Sequence, residues 1–264
     1  MATAVRSSTR RPKTFAPAAK PRAQSTLLLH RASRKGALDD VAVLLASGAD
    51  ANAANACGFA ALHFAAESGQ PQVVALLLEY GAQVNAATVS GATPLCIAVE
   101  RGYADLVELL VASGANAAQS SADGSSPLFL AARAGHLAVV EKLLRYSAVS
   151  VNTPNSCGST PLSVAAERGH VPVVELLLAS AASIDRANVW GETPLWKAAE
   201  NGHVEVIKQF LHEGADVTRA NADGVDVVAI ATRNGHSLAA KTLAIFIESK
   251  DERLVCDVRR CSDL

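Results

Sequence analysis

The sequence predicts an all-α solenoid of about seven helix-turn-helix units joined by β-hairpin-like finger loops. Three observations carry that prediction. All 17 glycines fall on three series with one spacing: Gly58, Gly91, Gly124, Gly158, Gly191 and Gly224 step by 33 residues with a single 34. Gly36, Gly69, Gly102, Gly135, Gly169, Gly202 and Gly235 repeat that spacing, and Gly48, Gly81, Gly114 and Gly214 keep it, with Ser147 and Ala181 in the missing places. Glycine marks backbone that turns left-handed or comes close to another segment, so three strict series mean three recurring backbone events per unit. Self-similarity at this period is the signature of stacked repeats.

The second observation is the start of the first helix in each unit. Thr93-Pro94-Leu95, Ser126-Pro127-Leu128, Thr160-Pro161-Leu162 and Thr193-Pro194-Leu195 place a capping hydroxyl before a proline at the first helical position. The third is the pair of features that follows. Gly135-His136, Gly169-His170, Gly202-His203 and Gly235-His236 suit a left-handed helix stop. Runs such as Val173-Val174-Glu175-Leu176-Leu177-Leu178 then make a second helix that is apolar on most of its surface, as a helix between neighbours should be. Helices this short do not stand alone in water, so stacking must supply their stability.

Taken in order, the units run 24–56, 57–89, 90–122, 123–156, 157–189, 190–222 and 223–250, after a basic segment 1–23 and before a tail 251–264. The first unit lacks the turn and the Thr-Pro start, and the last has Asp226-Val227-Val228 there, with Asp226 still able to cap. Ends of repeat arrays are expected to be atypical. The unit at Gly58 has Ala60-Ala61 in the capping place and should start its helix less firmly. The one inserted residue falls between Ser147 and Gly158, making 145–155 the finger expected to be least regular.

These residues resemble the ankyrin repeat family, whose unit reads G-x-T-P-L-H-x-A-A, then G-H-x-x-V-V-x-L-L-L, then G-A-x-V-N. "GATPLCIAVERGYADLVELLVASGANAA" from Gly91 and "GETPLWKAAENGHVEVIKQFLHEGADVT" from Gly191 match with few changes, and the resemblance covers about residues 24–250. It implies a non-catalytic scaffold or adaptor that recognises a partner protein through finger tips and the first-helix face. Two further readings stay open: an organelle-targeted assembly or import factor, and an adaptor presenting its partner to an enzyme bound in trans.

Composition narrows the classes. The net charge is -1, but residues 1–23 carry six basic residues and no acid, leaving 18 basic against 25 acidic in the remainder. That balance argues against a nucleic-acid or acidic-membrane surface, and no apolar run is long enough to span a bilayer. The five cysteines, an odd number without CxxC spacing, fit a reducing compartment and free thiols. No HExxH, GxxxxGKS/T, GxSxG or GxGxxG occurs, so neither catalysis, a cofactor nor a metal site is expected. The four Gly-His histidines come one per unit, about 8–10 Å apart by helix packing, too far to share a metal.

Candidate contact residues come from the exposed places of the lattice. Just before the tip glycine the series reads Cys57, Ser90, Asp123, Cys157, Trp190 and Asp223; just after it comes Phe59, Ala92, Ser125, Ser159, Glu192 and Val225. Trp190 and Phe59 stand out as aromatics where no scaffold role is evident, with Glu192, Asp123 and Asp223 beside them. Near the end of the first helix Arg101, Arg133, Arg168, Glu200 and Arg233 form a mixed row that is either a partner surface or a solvated face. Trp196 is different. Its equivalents are His63, Cys96, Phe129, Ser163 and Ala229, at the place of the family's T-P-L-H histidine, which faces the next repeat.

The ends of the chain hold two motifs. Residues 1–23, rich in Arg, Ser, Thr and Ala, are a flexible basic extension or a transit peptide, although Pro12, Pro17 and Pro21 oppose a long helix. Ser262-x-Leu264 has the form of a PDZ ligand, at a length that chance also produces, while Asp263 argues against prenylation of Cys261. A monomer in the cytoplasm or nucleus is expected, or in a chloroplast or mitochondrion if the basic segment is a targeting peptide.

Overall fold

The computed structural model describes residues 22–262, with side chains over 24–249. Fourteen helices occur among the described residues, and no strand. They form seven antiparallel pairs: α1 (Arg22–Lys35) with α2 (Leu38–Ala46), α3 (Ala61–Glu67) with α4 (Pro71–Glu79), α5 (Pro94–Glu100) with α6 (Ala104–Ala112), α7 (Pro127–Ala134) with α8 (Leu137–Leu144), α9 (Pro161–Arg168) with α10 (Val171–Ala179), α11 (Pro194–Glu200) with α12 (Val204–His212), and α13 (Val227–Arg233) with α14 (Ser237–Ser262). First helices stack on first helices and second on second along the array.

The capping residues act as their identity requires. The hydroxyls of Thr93, Ser126, Thr160 and Thr193 accept from the backbone N–H three residues on, and the Asp226 carboxylate does so for Ala229 at 2.7 Å. Ala60 has no side-chain oxygen, and the His63 N–H turns to its carbonyl at 3.0 Å. Half of the missing cap is restored from the other side, where His63 Nδ1 accepts from the Ala60 N–H at 3.1 Å.

One leucine in each of the five inner first helices, Leu62, Leu95, Leu128, Leu162 and Leu195, is fully buried, as are Val74, Val107, Val140, Val174 and Ile207 of the paired second helices. A second layer, Leu77, Leu110, Leu143, Leu177 and Phe210, continues that core along the stack. Burying each such side chain contributes about 1.5–3 kcal/mol, and most of that area lies between elements rather than within a helix.

Gly135 shows why the Gly-His pairs recur. It ends α7 in the left-handed region at φ 75°, and a Cβ there would stand 2.7 Å from the ring of His170 in the next unit. That ring is held in place: His170 Nε2 donates to the Arg133 carbonyl, as His136 does to Glu100 and His203 to Glu167. The histidines are clamps between units, each closing a carbonyl left open at the end of the preceding first helix.

Two departures from the expected layout appear at the ends of α8 and α14. At Ser147 the left-handed residue is missing; the chain leaves α8 through Tyr146 N–H to the Leu143 carbonyl and Val149 N–H to the Tyr146 carbonyl, which accommodates the inserted residue. In the other gap Ala181 keeps the glycine geometry at φ 62°, alone among the described non-glycine residues in that region. α14 runs past the expected boundary at 250 to Ser262 without a break. Segment 1–21 and the last two residues of the Ser262-x-Leu264 motif lie outside the described residues.

Candidate partner-binding surface

Each finger is a tight turn built from its own sequence. In the fifth, Asn188 N–H donates to the Glu192 carbonyl and Gly191 N–H to the Asn188 carbonyl. The Asn188 side-chain oxygen accepts from both Trp190 N–H and Glu192 N–H at 3.0 Å. Asn55, Asn155 and Asn221 make the same pair of bonds in their fingers. Gly191 is needed because the next finger crosses it: at φ 76°, an added Cβ would lie 2.9 Å from the Ala222 nitrogen.

The fingers are then tied side by side. Val89, Ala122, Ser156, Val189 and Ala222 each donate a backbone N–H to the carbonyl just before the preceding tip glycine, at Cys57, Ser90, Asp123, Cys157 and Trp190 respectively, at 2.8–3.0 Å. The carbonyls before five of the six tip glycines are thereby satisfied, and the side chains at those places are left facing outward. Cys57, Ser90, Asp123, Cys157, Trp190 and Asp223 are all exposed.

Trp190 is 51% exposed, and Val189 beside it 65%. Trp196, six residues on, is 4% exposed, and its indole N–H donates to the Val225 carbonyl of the next unit at 2.9 Å. One tryptophan projects; the other seals two units.

Phe59 corrects the expectation that no scaffold role asks for an aromatic at its tip. Its ring is partly buried, stacked on Phe64 with centroids 5.6 Å apart and tilted against His63 at 5.6 Å. Phe64 in turn meets the His30 ring at 4.9 Å and lies under the Arg34 guanidinium at 4.5 Å. Burial holds the pKa of both His30 and His63 below the ordinary histidine value, against hydrogen bonds to the Ala53 and Ala86 carbonyls that act the other way.

The mixed row divides in the same manner. Arg101 and Arg34 both reach Glu67, at 3.0 and 3.3 Å, and Arg133 reaches Glu100 at 2.6 Å, so this half is a ladder between units. Glu192 and Glu200 are likewise engaged, each 2.9 Å from the ammonium of Lys197. Burial would lower the Lys197 pKa, but the two carboxylates outweigh it and the pKa is raised. Arg168 has only its neighbour Glu167 at 3.9 Å, and Arg233 makes no ion pair among the described residues.

Lys197 was not singled out by sequence reasoning. Its equivalents are Phe64, Ile97, Leu130, Val164 and Ile230, and a lysine in an otherwise apolar column was the signal. Its ammonium lies 5.4 Å from the Trp196 ring, a cation–π placement that adds to its two ion pairs. Cys57, Cys96 and Cys157 are free, and no group of three His, Cys, Asp or Glu placed for a metal occurs among the described residues. No described helix is long and apolar enough to cross a membrane.

Short paired helices stacked in register, with a row of tied fingers, define a repeat protein of the kind that presents an extended recognition surface. A family model of ankyrin repeats matches residues 29–120, 113–188 and 182–251, and the chain belongs to the ankyrin repeat family. Ankyrin repeats mediate protein–protein interaction. The crystal structure of the human ASB11 ankyrin repeat domain is similar at 34% identity and a TM-score of 0.75, over 83% of this chain and 96% of that one. No curated protein sequence matches the chain significantly.

Proposed function

We propose that the chain is a non-catalytic adaptor or scaffold that holds a partner protein through its finger tips and the first-helix face. The observation that carries this reading is Trp190: a large aromatic, half exposed, on a finger whose backbone is fixed by Asn188 and by the next finger. An aromatic held in place loses little freedom on binding and is the side chain most often found to dominate an interface. Asp123 and Asp223 on flanking fingers, and Arg168 and Arg233 on the first-helix face, are the charged groups best placed to add to it.

Arg101, Arg133, Glu192 and Glu200 are already paired within the array, so their part in binding is secondary. Phe59, partly buried, contributes less than Trp190. Affinity capture with quantitative mass spectrometry, comparing wild type with Trp190→Ala, tests the proposal: proteins retained by the wild type should be depleted on the variant. Equal recovery of every retained protein would defeat it.

The acid-free composition of residues 1–23 supports a second reading, in which this segment addresses the array to an organelle and the array holds client proteins there. A fluorescent fusion of residues 1–35 should then be imported and shortened; a diffuse, full-length fusion rejects that reading.

A further inference from the structure

The finger row carries a pattern of charge that turn geometry does not require. Over the two residues before and the one after each tip glycine, the six fingers hold Asp123, Glu192 and Asp223 and no lysine or arginine. Glu192 is neutralised by Lys197. The other two acids have no ion-pair partner among the described residues. Asp123 is held by the hydroxyls of Ser121 at 2.5 Å and Ser125 at 2.8 Å, and Asp223 makes no side-chain hydrogen bond or ion pair among the described residues. Two guanidiniums of the connecting loops are turned elsewhere, Arg186 onto the Asn152 carbonyl and Arg219 onto that of Asp185, and Arg133, which lines the same groove as Asp123, is paired with Glu100.

Between these two carboxylates lie Cys157, Val189 and Trp190, all exposed and apolar, on fingers joined by the Val189 N–H to Cys157 carbonyl bond. The order along four successive fingers is therefore acid, apolar, apolar, acid. We infer that the fingers from Asp123 to Asp223 dock an extended partner segment with an apolar centre and one basic residue towards each end.

The geometry sets the spacing. Three steps of about 10 Å along stacked helices span about 30 Å, and an extended chain covers that in about nine residues. The apolar centre supplies affinity by being withdrawn from water on Trp190 and Val189. Exposed carboxylates add little to affinity but fix direction and speed encounter, so association should slow as salt rises.

This inference rests on the fingertip reading of Trp190 and is tested so that the two can fail separately. The full chain is panned against a displayed library of random peptides of about fifteen residues, long enough for the expected span. Enriched peptides should carry an apolar cluster with Lys or Arg on both sides, about eight to ten residues apart. By fluorescence anisotropy, Trp190→Ala should weaken the best peptide tenfold or more. The double variant Asp123→Asn/Asp223→Asn should weaken it about threefold to tenfold at low salt and flatten its salt dependence.

No enrichment, or enrichment without flanking basic residues, overturns the inference. If the double variant binds as the wild type does while Trp190→Ala does not, the fingertip reading stands and the basic-flanked segment falls. If neither variant changes binding, both fall. Unchanged circular dichroism melts of each variant separate loss of binding from loss of fold.

Discussion

Trp190 and Trp196 lie on either side of Gly191, and their difference is set by single bonds. The Trp196 ring finds the Val225 carbonyl of the next unit, whereas Trp190 uses only its backbone, the N–H on Asn188 and the carbonyl on the Ala222 N–H. Two other residues sit where their side chains cost stability. The Ser33 hydroxyl is fully buried with no hydrogen-bond partner among the described residues, at a place where the later units mostly have alanine: Ala66, Ala132, Ala166 and Ala199. Ser33→Ala should stabilise the chain by about 1–2 kcal/mol, the usual cost of an orphaned buried hydroxyl, seen as a higher urea midpoint. Ala181→Gly should add about 1 kcal/mol by relieving the left-handed backbone at φ 62°, and a lower midpoint would contradict it. Ala181 was legible as a gap in a glycine series. Ser33 was not, because a short hydroxyl residue in a helix looks harmless until its burial is known.

At the scale of elements, a finger is a turn locked by one side chain and by its neighbour's backbone. Asn188→Ala removes both bonds to a buried oxygen and the Nδ2–H bond to the Glu192 carboxylate, and should destabilise by about 1–3 kcal/mol. It should also weaken partner binding although Trp190 is intact, because the indole is no longer held; titration of a partner retained by the wild type checks this. The first two units carry a pH response. Burial lowers the pKa of His30 and His63, and Arg34 and the two histidines themselves add like charge. With the folded pKa below the unfolded value, the unfolded chain binds more protons as pH falls through about 6.5, so stability is full above that pH and declines below it. Thermal melts should drop from pH 7.5 to 5.5, and the drop should be smaller in the His30→Gln/His63→Gln variant.

The helices and their stops were readable because each rests on residue types with one dominant backbone role: threonine before proline, glycine before histidine. Side-chain contacts beyond a finger or a helix were less so. Phe59 was read as free because its partners, His63 and Phe64, belong to the following helix, and Arg101 because Glu67 stands one unit away. Opposite charges at one-repeat spacing, as in Glu67 and Arg101 or Glu100 and Arg133, were the sign that such a row pairs with itself.

Over the whole molecule, stability is a sum of units and the contacts between them, while recognition is concentrated where the sum leaves side chains over. The account separates the two tryptophans on that basis. Its most direct test is a paired measurement on Trp190→Ala and Trp196→Phe, taking both the melting temperature and the affinity for a partner retained by the wild type. Trp190→Ala should leave the melt within about 1 °C and weaken binding tenfold or more. Trp196→Phe, which loses the bond to Val225 and part of the ring, should lower stability by about 1–3 kcal/mol and leave affinity within about twofold. The reverse pattern, with Trp190→Ala unfolding the chain or Trp196→Phe alone abolishing binding in a folded protein, would contradict the account.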